Sequence, residues 1–204
     1  MAQSVLLARI TSTVLHPYIV LVPAIVITVV NSLDDNIERV AWTLYTLIPI
    51  FAFTLIYAKI RAIITSPDNS DARIRRSLVR DDPTQLMIMT ILFAVPSSLI
   101  LYLFDGPRDV LWIMLSLGLT MLAVTLVNTV YRASFHLAMI TSIFTSLGFL
   151  FGTIVFVTIP FVITLGFSRY KLKAHTPSQI VTGFVIGSIS TFIIFYWKNG
   201  WSLV

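Results

Sequence analysis

The chain contains no cysteine. That excludes disulfides, thiolate zinc sites and cysteine nucleophiles. Charge is scarce too: 11% of the 204 residues are Asp, Glu, Lys or Arg, against about 25% in a soluble domain. No polar segment is long enough to fold separately, so residues 1–204 read as one domain. Segments of about ten residues alternating apolar and polar are missing, which argues against a transmembrane β-barrel.

What is present is apolar sequence. Hydrophobic residues make up 57% of the chain, and the mean hydropathy is +0.91. Apolar runs of about 20 residues recur, long enough to span a bilayer as helices. The predicted fold is all-α, a polytopic integral membrane bundle of about seven transmembrane helices. The predicted spans are Thr11–Val30, Val40–Ala58, Leu86–Phe104, Val110–Val130, Ser134–Gly148, a sixth from about Gly152 to Phe167, and Pro177–Trp197. If the fifth and sixth merge the count is six, but a helix of about 34 residues is too long for one span at ordinary tilt. The first run is too long, and lacks the small-residue cleavage site, for a removable signal peptide. Pro49, Pro96 and Pro160 fall inside spans and are expected to kink them. Gly183 and Gly187 form a small-xxx-small pair, expected to let a neighbouring helix pack closely.

Alternating spans sort the polar segments onto two faces. One carries Arg9, Lys59, Arg61, Arg73, Arg75, Arg76, Arg80, Arg132, Arg169, Lys171 and Lys173. The other carries only Arg39, Arg108 and Lys198, together with Asp34, Asp35, Glu38, Asp105 and Asp109. The excess of Lys and Arg predicts that the first face is cytoplasmic. Trp42, Trp112, Trp197 and Trp201 all fall at span ends on the second face, as an interfacial aromatic belt requires.

All three histidines, His16, His136 and His175, lie near the basic face. Ser168–Gln179 is the most polar connection in the C-terminal half. It gathers Arg169, Lys171, Lys173 and His175 ahead of a helix start at Thr176-Pro177, with Thr as N-cap and Pro in the first turn. Ser134 is expected to cap the fifth span in the same way. Two helix N-termini then point to the basic face, and each offers unpaired N–H groups and a positive dipole end to an anion. Arginine suits phosphate because its planar fork binds two oxygens at once. If the loop after the second span is helical, Arg73, Arg76 and Arg80 share one face; their other reading is topology or lipid headgroup contact. His16-Pro17 reads as an interfacial histidine at a helix start, or as part of a headgroup pocket.

These residues resemble the three motifs of the type 2 phosphatidic acid phosphatase (lipid phosphate phosphatase) superfamily. Ser168-Arg169, five residues, His175, three residues, Gln179 is similar to the third motif, with Gln in place of its final Asp. Ala133-Ser134-Phe135-His136 keeps the Ser and His of the second. Arg73, six residues, Arg80-Asp81 is loosely similar to the first. The resemblance covers about residues 59–195, and Lys-Ala-His-Thr-Pro-Ser-Gln looks like a variant bacterial and archaeal branch that carries this Gln. It implies a prokaryotic cell membrane. It also implies hydrolysis of a lipid or isoprenoid phosphate or diphosphate at the cytoplasmic interface, through a phosphohistidine. In that reading His175 is the nucleophile, His136 the general acid and Gln179 the orienting residue. Arg169, Arg73, Arg80 or Arg76, and Ser134 bind phosphate. The partners expected are that substrate and membrane lipids; no metal, other cofactor or nucleic acid is expected. The alternative that the missing carboxylate implies is a weak or inactive member acting as a lipid-binding or structural membrane subunit.

Overall fold

The computed structural model describes residues 2–65, 83–152 and 154–201. Among the described residues there are eight helices and no strand. They are α1 Ala2–Val14, α2 Pro17–Ser32, α3 Asn36–Thr65, α4 Pro83–Leu103, α5 Arg108–Val127, α6 Phe135–Phe151, α7 Ile154–Lys171 and α8 Pro177–Trp201. The all-α expectation holds. In hydrocarbon every backbone N–H and C=O must be satisfied within its own segment, and a helix does this.

Among the described residues three helices are long and apolar enough to cross a membrane: residues 36–57 of α3, α5, and residues 177–199 of α8. The bent pair α1–α2 is a fourth if it is one span. The sequence reading of seven spans exceeds this number. α6 is only 17 residues long, about 25 Å, against a hydrocarbon core of about 30 Å. α4 counts only as a shorter apolar helix, over Thr90–Leu103 of its described residues. α7 carries Arg169 and Lys171 in its last turn, which ends its apolar stretch at Phe167.

The first predicted span, Thr11–Val30, also needs correction. Helix begins well before Thr11 and breaks at Leu15–His16, where α1 and α2 meet at a bend of 44°. The cause is local. Pro17 lacks an N–H and pushes the residue before it out of the helical region; His16 sits at φ −69°, ψ 135° and caps α2, its ring nitrogen accepting from the Tyr18 N–H. The predicted fifth and sixth spans do not merge. Gly152, at φ 63°, ends α6 and turns the chain into α7, a left-handed conformation that only glycine adopts readily.

α5 and α6 form the centre. Val110, Ile113, Met114, Leu117 and Met121 of α5, and Ala138, Ile140 and Ile143 of α6, are buried. α5 packs against α2, α4, α6 and α8, and α6 against α2, α5, α7 and α8. Pairings between helices fix the directions. Thr46 with Ser97, and Trp42 with Gly106, run α3 antiparallel to α4. Ser134 with Gln179, Ser142 with Thr191, and Phe149 with Phe195 run α6 parallel to α8. The bundle therefore has two ends. One holds Asp35, the Asp105–Asp109 turn and the Asp109–Lys198 ion pair of 2.7 Å, with Trp42 packed on Gly106. The other holds the starts of α2, α6 and α8 and the end of α7.

Candidate functional site

The basic connection begins at the end of α7. The Ala174 N–H donates to the Arg169 carbonyl and the Lys173 N–H to the Tyr170 carbonyl, the paired bonds of a Schellman cap. The left-handed residue such a cap requires is Lys173, at φ 53°, where glycine is the usual occupant. Ser168 and Arg169 turn toward α1. The Ser168 hydroxyl donates to the Ala8 carbonyl. Arg169 is only 5% exposed, and its Nη1 donates to Ser12 Oγ at 3.2 Å.

α8 starts as the sequence predicts, with Thr176 as its cap and Pro177 first in the helix. A further device appears there. The Gln179 side-chain oxygen accepts the Thr176 N–H at 3.1 Å, and the Gln179 N–H reaches Thr176 Oγ1 at 3.4 Å. This is a capping box, in which a Glu or Gln at the third helical position reaches back to the cap residue. The same Gln179 oxygen lies 3.2 Å from His175 Nδ1. An N–H can only donate, so the Thr176 N–H fixes which end of the amide is oxygen. An Nδ1–H of His175 directed at that oxygen is the tautomer that completes this hydrogen bond.

α6 starts beside α8. The Ser134 N–H donates to the Gln179 carbonyl at 3.0 Å, and the turn before it is closed by Asn128 Oδ1 accepting the Ala133 N–H at 2.7 Å. The two helices come this close because of glycine: a Cβ on Gly183 would lie 2.4 Å from the Ser134 carbonyl oxygen, and one on Gly187 2.3 Å from that of Ala138. The expected close packing at Gly183 and Gly187 is present. Ser134 occupies the N-cap of α6 but makes no side-chain cap bond, which corrects its predicted capping role. Its hydroxyl is buried with no hydrogen-bond partner among the described residues.

His136 sits in the first turn of α6, and its ring meets that of His16 edge-on, centroids 4.9 Å apart. His16 in turn stacks on Tyr18. The helix-start reading of His16 is therefore correct, but its packing on His136 is something sequence reasoning missed. His16-Pro17 was the available signal for the break; nothing in the spacing pointed to His136.

The structure thus links five of the expected site residues through neighbours. His175 contacts Gln179, and Gln179 bonds Ser134. Ser134 lies two residues before His136, which packs on His16 beyond the α1–α2 break. Arg169 bonds Ser12 in the last turn of α1, on the other side of the same break. Arg73, Arg76 and Arg80, and with them the register of the first motif, lie outside the described residues. Among the described residues no group of three or more His, Asp or Glu is arranged to hold a metal ion.

Fold and site together define a helical protein with helices long and apolar enough to cross a membrane, and with His16 packed on His136 and His175 paired with Gln179 at helix starts. No family model, curated protein or solved structure matches this chain.

Proposed function

We propose that the protein is a membrane phosphatase, acting on a lipid or isoprenoid phosphate or diphosphate through a phosphohistidine at the cytoplasmic end of a seven-span bundle. The shorter helices α4, α6 and α7 serve as the remaining spans: α6 is buried among its neighbours, and α4 and α7 turn apolar side chains such as Leu99 and Ile163 outward, their backbone groups satisfied within each helix. The observation that carries the reading is the pairing of His175 with Gln179 at the start of α8. It supports a fixed tautomer with the nucleophilic lone pair on Nε2.

In the proposed reaction His175 Nε2 attacks phosphorus. The N–P bond forms as the bond to the leaving oxygen breaks, and that oxygen, an alkoxide from a monophosphate or a prenyl phosphate from a diphosphate, takes a proton from His136. Water then attacks the phosphohistidine and gives its proton to His136. The N–P electron pair returns to Nε2, and phosphate leaves. Arg169 neutralises phosphate oxygens, with Arg73 and Arg80 or Arg76, and Ser134 donates to them. Catalysis of this kind is mainly positioning and charge stabilisation.

A second reading is favoured by the same residue. Gln179 orients His175 but supplies no negative charge. In a serine protease, an amide in place of the orienting carboxylate lowers turnover about 10⁴-fold, there through the wrong tautomer. A slow or inactive lipid-binding member is the outcome if charge at this position is indispensable.

Purified protein presented with phosphatidic acid and prenyl diphosphates should release inorganic phosphate, and His175→Ala should abolish release while binding persists. Release that survives His175→Ala overturns the nucleophile assignment. Binding without release in the unaltered chain selects the second reading.

A further inference from the structure

Two surface features meet at one side chain, away from the histidines. The first is a cleft of about 910 Å³ between α1 and the end of α7, lined by Ser4, Arg9, Tyr170, Lys171 and Lys173 among others. Among the described residues its wall has three cations and no acidic side chain. Arg9, Lys171 and Lys173 have no ion-pair partner among the described residues. The first turn of α1, at Ser4 and Val5, also borders it, adding the positive end of a helix dipole. The second feature is a groove of about 430 Å³ between α7 and α8, walled by Ile163, Gly166, Phe167, Pro177, Val181 and Phe184. Its surface is almost wholly apolar. Tyr170 lines both.

We infer that cleft and groove together hold one anionic lipid, its headgroup against Arg9, Lys171 and Lys173 and one hydrocarbon chain laid between α7 and α8. Charge commits the occupant. A neutral lipid gains nothing from three unpaired cations, and a free anion gains nothing from the groove. Position agrees. α7 runs from apolar sequence into Arg169–Lys171, so the groove lies at hydrocarbon depth and the cleft at headgroup depth. Along α7 the groove falls from Tyr170 to Val162, about 12 Å at 1.5 Å per residue. Tyr170, apolar in the body and polar at the tip, stands at the boundary where such side chains are favoured. The site uses none of His16, His136 or His175, so it does not depend on the phosphatase reading.

The test is lipid retention. The whole chain, purified in detergent and exposed to mixed micelles of phosphatidylglycerol, an anionic diester outside the proposed reaction, and phosphatidylcholine, is examined by native mass spectrometry. The unaltered protein should retain phosphatidylglycerol in preference to phosphatidylcholine. The triple substitution Arg9→Gln, Lys171→Gln, Lys173→Gln should lower retained phosphatidylglycerol at least tenfold and leave phosphatidylcholine unchanged. Gly166→Leu, which intrudes on the groove, should lower it with all three cations in place. Inorganic phosphate in large excess should not displace the lipid. Equal retention by the triple variant overturns the headgroup site, and full displacement by inorganic phosphate overturns the chain groove. His175→Ala should retain lipid normally, so failure of the phosphatase reading leaves this result untouched.

Discussion

At the scale of single residues, Gln179 does two things with one atom. Its side-chain oxygen accepts the Thr176 N–H and faces His175 Nδ1. A capping box needs the length of Glu or Gln; Asp is one methylene shorter. Gln179→Glu keeps the reach and adds charge beside His175. It should raise phosphate release at least tenfold with no loss of thermal stability, whereas Gln179→Asp should gain less and melt lower. Phosphate-release rates and melting curves of the two variants check this; equal gains for both would show that reach is irrelevant. Thr176→Ala removes the cap and should cost about 1 kcal/mol, read from unfolding in detergent. Much of this was legible. Thr176-Pro177 announced the helix start, and Thr-x-x-Gln is a capping-box pattern. The unbonded hydroxyl of Ser134 was not legible, because cap preference is set by residue type and the actual bond by the incoming backbone, here the Gln179 carbonyl.

At the scale of helices, the contact between α6 and α8 fixes the site. Gly183 and Gly187 allow backbone to lie against backbone, and the Ser134–Gln179 bond depends on that approach. Gly187→Ala places a methyl 2.3 Å from the Ala138 carbonyl oxygen, and overpacking of this kind costs about 1–3 kcal/mol. A lowered melting temperature together with reduced phosphate release is expected; a melt unchanged from the parent would mean the helices are not in contact there. Lys173→Gly relieves the left-handed backbone at the end of α7 and should raise stability by up to about 1 kcal/mol, seen in the same melts, while weakening lipid retention. Sequence patterns located the starts of α6 and α8 and the turn at Gly152. They missed the extent of α1 and the break at His16. Hydropathy counts apolar residues and does not register a backbone interruption in apolar sequence, where a single proline and one histidine cap redirect the chain.

At the scale of the whole molecule, two chemically different ends are the main result. The acidic turns and Trp42 gather at one, the helix starts, Arg169 and the basic cleft at the other. Because the chain has no cysteine, single replacements report sidedness directly. In sealed vesicles, Lys171→Cys and Asp105→Cys should react with an impermeant maleimide from opposite sides; reaction from the same side would overturn the two-ended layout. The grouping of charge was legible from span alternation. Among the described residues fewer than seven helices are of membrane length. Seven apolar runs do not make seven membrane-length helices, since α6 at 17 residues is short and lives largely among its neighbours. The expected first motif, at Arg73 to Arg80, lies outside the described residues.

The seating of α8 on α6 also bears on biogenesis. α6 leaves the ribosome well before α8, with the Ser134 N–H and the strip beside Ala138 and Ser142 still uncovered. Only when residues 177–199 have entered the bilayer does the Gln179 carbonyl arrive, and with it the oriented His175. A translation intermediate arrested ahead of Pro177 can insert every earlier helix and still hold no working centre. On the proposed reading the phosphatase would be silent during its own synthesis, and switching on would coincide with the docking of one late helix.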